Sequence, residues 1–440
     1  MIRRAIGKIF GKRRADRASR EFAADLLRGI VENETATAAM QADARNSGEP
    51  CALLTPVVKL PAQQSAGWFG GMPCLPAGMA WPEIEGEPLR FLCQIDLSAL
   101  PATIWSGLGP RRGWLAVFLH PEKLTPKVLH LDGELQRREG PGQTDAVWFW
   151  PRAWDRERPP LQAHSPEWPI SIVEHVGQLP PPAGWRKGKA PGFPDPRDAE
   201  CPDLSDPAFH PFNEATLSAL LECVRKQLTE RKARTEALLR KKCRADDRTE
   251  LERLQLEASR AMERFSRIED ALLPFTKAFR LAPAQGLLAQ LSALPSCDVL
   301  YPKDDEEGYA VIASSTRTLC EKPDPRAGGW WYGSYADRLY RHAVYARTST
   351  PEDLHPELRQ RMETIWQFEA LHERGAMGHA PLGHVYTPHG PATRNAVLLE
   401  LPTSSMVGWA WGDMYSLVLF IAHEDLSRGD FSKVIFDITN

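Results

Sequence analysis

The chain has 440 residues, 42% hydrophobic and 25% charged, enough to bury a substantial core in two or three domain-sized units. A net charge of −3 leaves no global basic excess to displace counterions from phosphates, so nucleic acid is not an expected partner. Eight cysteines without a CxxC pair read as packed free thiols in a reducing compartment, which makes the cytoplasm the expected location.

The start, MIRRAIGKIFGKRRADR, interrupts its apolar residues with charge and has no uninterrupted apolar stretch, so neither a signal peptide nor a membrane span is expected. Residues 1–46 read as a basic helical arm, with Ile2, Ile6, Ile9 and Phe10 and then Phe22, Leu26 and Ile30 at helical spacing. Arg3, Arg4, Lys8, Lys12, Arg13, Arg14, Arg17 and Arg20 face only Asp16, a pattern suited to weak contact of residues 1–20 with an anionic membrane. A solvated or frayed terminal helix is the plainer reading of the same residues.

Residues 47–211 change to short apolar runs divided by Gly and Pro, predicting strands near 52–60, 90–95, 114–119, 127–131, 146–150 and 170–175. The stretch LPPPAGWRKGKAPGFPDPRDAECPDLSDP is too rich in proline for a helix or a central strand and reads as a long connection. Over 212–284 the pattern turns helical. Leu217, Leu221, Val224, Leu228 and Leu238 form one seam, and Leu251, Leu254, Ala258, Ala261, Phe265, Ile268 and Leu272 form another. The phase breaks between them near 244–247, where Asp247 and Glu250 have the spacing of a capping box. An antiparallel helical hairpin is expected, self-contained and projecting from the rest, with its outer face available to a protein partner; a single continuous helix is the alternative. From 285 to 440 strands return near 298–301, 309–314, 339–345, 396–401, 415–421 and 434–438, with a helix over 356–373.

The two flanking regions share a pattern. A Gly/Pro loop leads to FLCQID and then GWLAVFLHPEKL in the first; LGHVYTPHGP leads to VLLELP and then GDMYSLVLFIAHEDL in the second. The fold class expected is therefore α+β, with two related β-rich halves arising by internal duplication, an inserted helical hairpin and the N-terminal arm. If the repeat is genuine, Leu92 and Leu398 are equivalent buried positions in two sheets related by a twofold, with a crevice where the halves meet.

The pieces GGMPCLPAGMAWP, FLCQIDLSALP, GHAPLGHVYTP and WGDMYSLVLFIAHEDLSRGDFSKV resemble the YwqG-like family of bacterial proteins, a domain of unknown function. The resemblance covers the flanking halves and implies an internally duplicated α+β sheet architecture with no established activity. The second half departs from the family pattern: Ala380 and Pro381 follow His379, Glu400 and Pro402 stand in VLLELP, and the Gly-Asp turn continues as Met414 and Tyr415.

Candidate ligand-binding residues are Gln94, Asp96, His379, Asp413 and Trp81. Gln94 and Asp96 lie two apart on a strand and so share a face; they suit either a ligand or the backbone of the neighbouring GGMP loop. His372, His379, His384 and His389, with Asp413, His423, Glu424 and Asp425, form the densest ionisable cluster. Their spacing matches neither HExxH nor a Cys/His knuckle, so no metal or cofactor is expected. Fourteen tryptophans are present, and WWYGSY at 330–335 has the composition of a sugar- or peptide-stacking platform as well as of core. No nucleophile elbow or phosphate-binding loop occurs. The expected function is that of a non-enzymatic binding or interaction protein; the rival is an enzyme or small-ligand binder with its site between the halves.

Overall fold

A computed structural model describes residues 50–59, 65–140, 146, 148, 164–176, 204, 206, 209–276, 281–327, 329–378, 395–412 and 415–439. The basic arm, His379 and Asp413 lie outside the described residues. The first region holds β1 (Pro50–Pro56), β2 (Gly67–Phe69), β3 (Cys74–Pro76), β4 (Glu83–Ile84), β5 (Glu87–Pro88), β6 (Arg90–Asp96), β7 (Trp114–Leu119), β8 (Pro126–Leu131), β9 (Leu135–Arg137) and β10 (Trp168–Val176). Helices α1 (Glu214–Leu239), α2 (Ala245–Leu272) and α3 (Leu281–Ser292) follow. The remainder comprises β11 (Pro295–Asp304), β12 (Ala310–Thr318), α4 (Trp331–Ser349), α5 (Pro356–His372), β13 (Gly375–Gly378), β14 (Asn395–Pro402), β15 (Ser416–Ala422), α6 (His423–Arg428) and β16 (Ile435–Thr439).

Ten strands form one antiparallel sheet in the order β16-β15-β14-β13-β1-β10-β2-β6-β7-β8. This corrects the expectation of two separate sheets. The inner edges β2 and β13 would each present unpaired N–H and C=O groups, and the β1–β10 pair satisfies both. The sheet curls into a barrel-like shape: His130 on edge strand β8 lies 6.1 Å, ring to ring, from Phe431, which leads into the other edge strand β16.

Alternation along the strands divides the burial. Leu115, Val117 and Leu119 of β7 join the main core with Leu54, Phe69, Ile95, Trp168, Leu401 and Leu419, while Ala116 and Phe118 face a second cluster with Leu75, Leu89 and Phe91. β6 lies between β2 and β7, and β14 lies between β13 and β15. The β6–β7 register shifts between Phe91 and Cys93, and the β14–β15 register shifts between Val397 and Leu399, so Leu92 and Leu398 occupy matching irregularities. Both leucines are fully buried.

Helices α1 and α2 run antiparallel: the Arg225 guanidinium bonds Glu269, and Gln255 Nε2 donates to Glu236 at 2.8 Å. They do not stand clear of the sheet as expected. Leu217, Leu220, Leu221, Val224 and Phe265 belong to the same cluster as Trp331, Leu339 and the sheet residues, because α1 is apolar on more than one side and α4 packs against it. A buried ionic group reinforces the join. Asp298 of β11, fully buried, accepts from Arg317 Nε at 2.6 Å and lies 3.2 Å from Arg231 Nε on α1. Burial lowers the pKa of Arg231, and Asp298 opposes that shift.

Three local expectations change. Residues 339–345, expected as a strand, lie in α4; Tyr335, Leu339, Ala343 and Ala346 recur at three-to-four-residue spacing and are all buried, which is a helical stripe. Ala146 and Trp148, expected in a strand, are buried without being in one. Helix α2 begins at Ala245 after Arg244, so Asp247 sits inside the first turn, where its charge suits the helix dipole, and Glu250 is engaged by Arg253 and Ser314. The capping box instead opens α1, where Asn213 Oδ1 accepts from Thr216 N at 2.9 Å. No helix among the described residues is long and apolar enough to cross a membrane.

Truncating Leu92 or Leu398 to Ala should cost about 2 to 5 kcal/mol each, measured by chemical denaturation. Asp298→Ala leaves two buried guanidinium groups uncompensated and should cost about 3 to 5 kcal/mol in the same assay. Excising residues 213–276 should abolish cooperative melting, since it bares the apolar faces of Trp331, Tyr335 and Leu339; a soluble, cooperatively melting remainder would show that the helices are separable.

Candidate functional site

The expected binding residues that the structure describes are engaged by their own chain. Gln94 is buried on β6, where its Oε1 accepts from Cys74 N at 2.8 Å and its Nε2 donates to Cys74 O at 3.2 Å. One side chain thus acts as a strand partner for β3 and pins the loop that begins at Gly70 and Gly71. Gly70 has φ +62°, and a Cβ there would fall 2.1 Å from the Pro166 carbonyl, so the loop can turn at that point only without a side chain. Asp96 caps the short helical turn after β6, accepting from Ser98 N at 2.8 Å and Ser98 Oγ at 2.7 Å. Trp81 donates from Nε1 to Leu89 O at 2.9 Å and meets Phe118 edge-on at 5.6 Å.

Two other polar groups stand outside the candidate set, although Glu400 already marked a departure from the family pattern in VLLELP. Glu400 is fully buried on β14, opposite Ala376 and Val418, as Gln94 lies opposite Trp68 and Ala116 on β6. Burial, with Glu400 adding to it, pushes the Cys51 thiol up to about 11. Glu373 holds the Ser404–Met406 turn: Ser404 Oγ donates at 2.6 Å, Ser405 Oγ at 2.7 Å, Ser405 N at 3.2 Å and Met406 N at 3.1 Å. Burial raises the Glu373 carboxyl above the usual range against the pull of those donors. Next to this turn the Tyr340 hydroxyl donates to Glu369. Among the described residues no three His, Cys, Asp or Glu side chains gather as metal ligands. His384 and His389, with His379, lie outside those residues, while the His372 ring lies 4.5 Å from that of Phe368, tilted at 54°.

An open cleft of about 240 Å³ lies elsewhere, between α1 and the start of α4. Its α1 wall carries Glu222, Cys223, Lys226, Gln227 and Glu230; its other wall carries Gly329, Trp330, Trp331, Ser334 and Arg338. Within WWYGSY the aromatics divide. Trp331, Tyr332 and Tyr335 are buried, with Trp331 Nε1 donating to Leu319 O at 2.8 Å and the Tyr335 hydroxyl to Phe209 O at 3.0 Å. Trp330 keeps part of its ring exposed and lies 5.1 Å from Tyr332.

Residues of α1 fix the opposite wall. Arg231 Nη2 donates to Gly329 O at 3.0 Å, Arg234 Nη1 to Ala327 O at 2.9 Å, and buried Gln227 accepts from Trp331 N at 2.7 Å through Oε1. Gln227 satisfies one of the backbone donors that every helix start leaves over. Arg338 bonds Glu222 at 2.5 Å further along. Among the described residues lining the cleft there is no histidine. Such a lining can hold a small molecule through an aromatic face and charges of both signs. The Trp330 signal was legible in the sequence; its partner wall was not, because nothing local says which face of α1 meets α4.

No curated protein matches the chain. A family model described as a domain of unknown function matches residues 68–157 and 295–439, more than half of the chain, and leaves α1, α2 and the β1 and β10 strands outside the match. The matched segments supply β2 and β6–β8 on one side of the sheet and β13–β16 on the other, together with the α4 wall of the cleft. The chain belongs to the DUF1963 family, whose defining domain is of unknown function.

Proposed function

We propose that this chain is a non-catalytic, YwqG-like binding protein of the cytoplasm that holds a small polar ligand in the cleft between α1 and α4. The observation that carries the reading is the partly exposed Trp330, set in an open cleft between walls that bear Glu222, Glu230, Lys226 and Arg338. The rival reading places an enzymatic or ligand site between the halves, near Gln94, Asp96, His379 and Asp413. Against it, Gln94 and Asp96 are already bonded to Cys74 and Ser98.

The scaffold is built from two duplicated halves. Support comes from the matching neighbours of β6 and β14, the matching register shifts at Leu92 and Leu398, and the placing of Gln94 and Glu400 two residues after each shift. On α2, exposed Leu256 among exposed Arg253 and Arg260 gives the helical pair a contact surface for a protein partner.

Saturation-transfer NMR against separate panels of peptides, amino acids, monosaccharides, nucleotides and organic acids tests the cleft. At least one class should receive transfer from the wild-type protein, and Ser334→Trp, which fills the cleft from an exposed helical position, should cut that transfer at least tenfold while leaving the melting temperature unchanged. Transfer to no class, or equal transfer in both proteins, would overturn the reading.

A further inference from the structure

Strand β12 is an open sheet edge. Among the described residues it pairs with β11 alone, and β11 packs on α1 and α2. The backbone groups of an antiparallel strand point alternately to its two sides, and the ends of β12 show which residues face outward. Ala310 N donates to Lys242 O at 2.9 Å and Thr318 N to Glu321 Oε2 at 2.8 Å, both away from β11. Leu319 N, by contrast, donates to Leu294 O at 2.7 Å and continues the β11 ladder. Leu300 pairs with Ala313 and Lys303 with Val311, so the extra residue of the irregularity lies on β11 and β12 keeps its alternation. Ile312, Ser314 and Thr316 therefore aim their N–H and C=O groups outward, where these bond to no described residue.

Soluble proteins guard such edges with proline, charge, a bulge or a covering element. β12 lacks these guards. The strand AVIASSTRT has no Pro or Lys, its one charge, Arg317, is drawn onto Asp298, and Ala313, Ser314, Ser315 and Thr316 are exposed. We infer that β12 is a self-association edge, which pairs antiparallel with β12 of a second copy of this chain about a twofold axis at Ser314. The open row is closed at 310 and 318 by the chain itself and is centred on Ser314. An axis there sets Ile312 opposite Thr316 of the second copy and Ser314 opposite its own equivalent, so outward groups meet outward groups in about six new hydrogen bonds. Like charges do not meet, because Arg317 falls opposite residue 311. Ala313 falls opposite Ser315, both small and uncharged. A foreign strand is told from others by pockets or charges beside the edge, which these two residues do not supply. So short a pairing is a small interface, and the dimer is weak and concentration-dependent.

Sedimentation velocity over a dilution series of the full chain tests this, and does so independently of the cleft. The protein should pass from monomer to dimer as its concentration rises. Ser314→Pro removes an outward N–H and no rung of the β11 ladder, and should weaken dimerisation at least tenfold. Ser314→Ala loses the same hydroxyl contact with Glu250 but keeps the N–H, and should dimerise as the wild type does. Charge tests the register: Ala313→Lys with Ser315→Lys sets like charges opposite each other across the axis and should also weaken the dimer at least tenfold, whereas Ala313→Glu with Ser315→Lys sets opposite charges there and should keep it. These paired changes lie at exposed positions, so they decide the matter even if the proline variant fails to fold. A chain that stays monomeric at every concentration would leave the edge to a foreign strand and overturn the self-pairing. A dimer indifferent to a folded Ser314→Pro variant or to the two lysines, or one lost equally with the Glu and Lys pair, would overturn it as well.

Discussion

The pairing of β1 with β10 is the constraint on which the sheet depends. Seven residue pairs, from Pro50↔Val176 to Pro56↔Ile170, join the two groups of four strands contributed by the family segments, and neither joining strand lies within those segments. A sheet edge left open there would be a template for pairing with other chains. β10 also reaches across the core. Its first residue, Trp168, is fully buried, donates from Nε1 to Met406 O at 2.7 Å, meets Trp366 of α5 edge-on at 5.6 Å, and lies under the Arg347 guanidinium of α4 at 4.1 Å. One side chain thereby ties the ladder to the Ser404–Met406 turn and to two helices.

A second dependence runs through α1. Its apolar side chains close the core over α4, while its buried polar ones, Gln227 and Arg231, are matched to backbone groups at the start of α4 and to Asp298 on β11. Buried polar groups of this sort add little net stability when satisfied and cost a great deal when one partner is lost. They therefore fix where α4 begins more than they strengthen the fold. The same atoms that settle α4 settle the walls of the cleft.

Much of the architecture could be read from local pattern. Strands β6, β7, β8, β14 and β15 stand out as apolar runs bounded by Gly, Pro or charge, and α1, α2 and α5 show helical spacing. Where the reading failed, the reasons are physical. Tyr335, Leu339 and Ala343 are interleaved with other apolar residues, so the α4 stripe hides in a run that also alternates like a strand. The joining of the halves into one sheet rests on β1 and β10, whose partnership is a pairing across more than a hundred residues with no local trace. Gln94 and Asp96 stood out as polar residues in an apolar setting, and that setting is why they are bonded to their own chain: a buried amide or a strand-end carboxylate must find partners.

The cleft has walls of separate provenance. The α4 wall belongs to the family domain, and the α1 wall to chain outside the family match. On α1 the residues that brace α4, Gln227 and Arg231, are buried, while Glu222, Lys226 and Glu230 beside them are exposed. Exposed Glu230 can therefore change in charge without loosening the brace, whereas Glu222, paired with Arg338 of α4, cannot. A chain built this way can change the surface of the cleft by editing one wall, with the frame of the family domain left untouched.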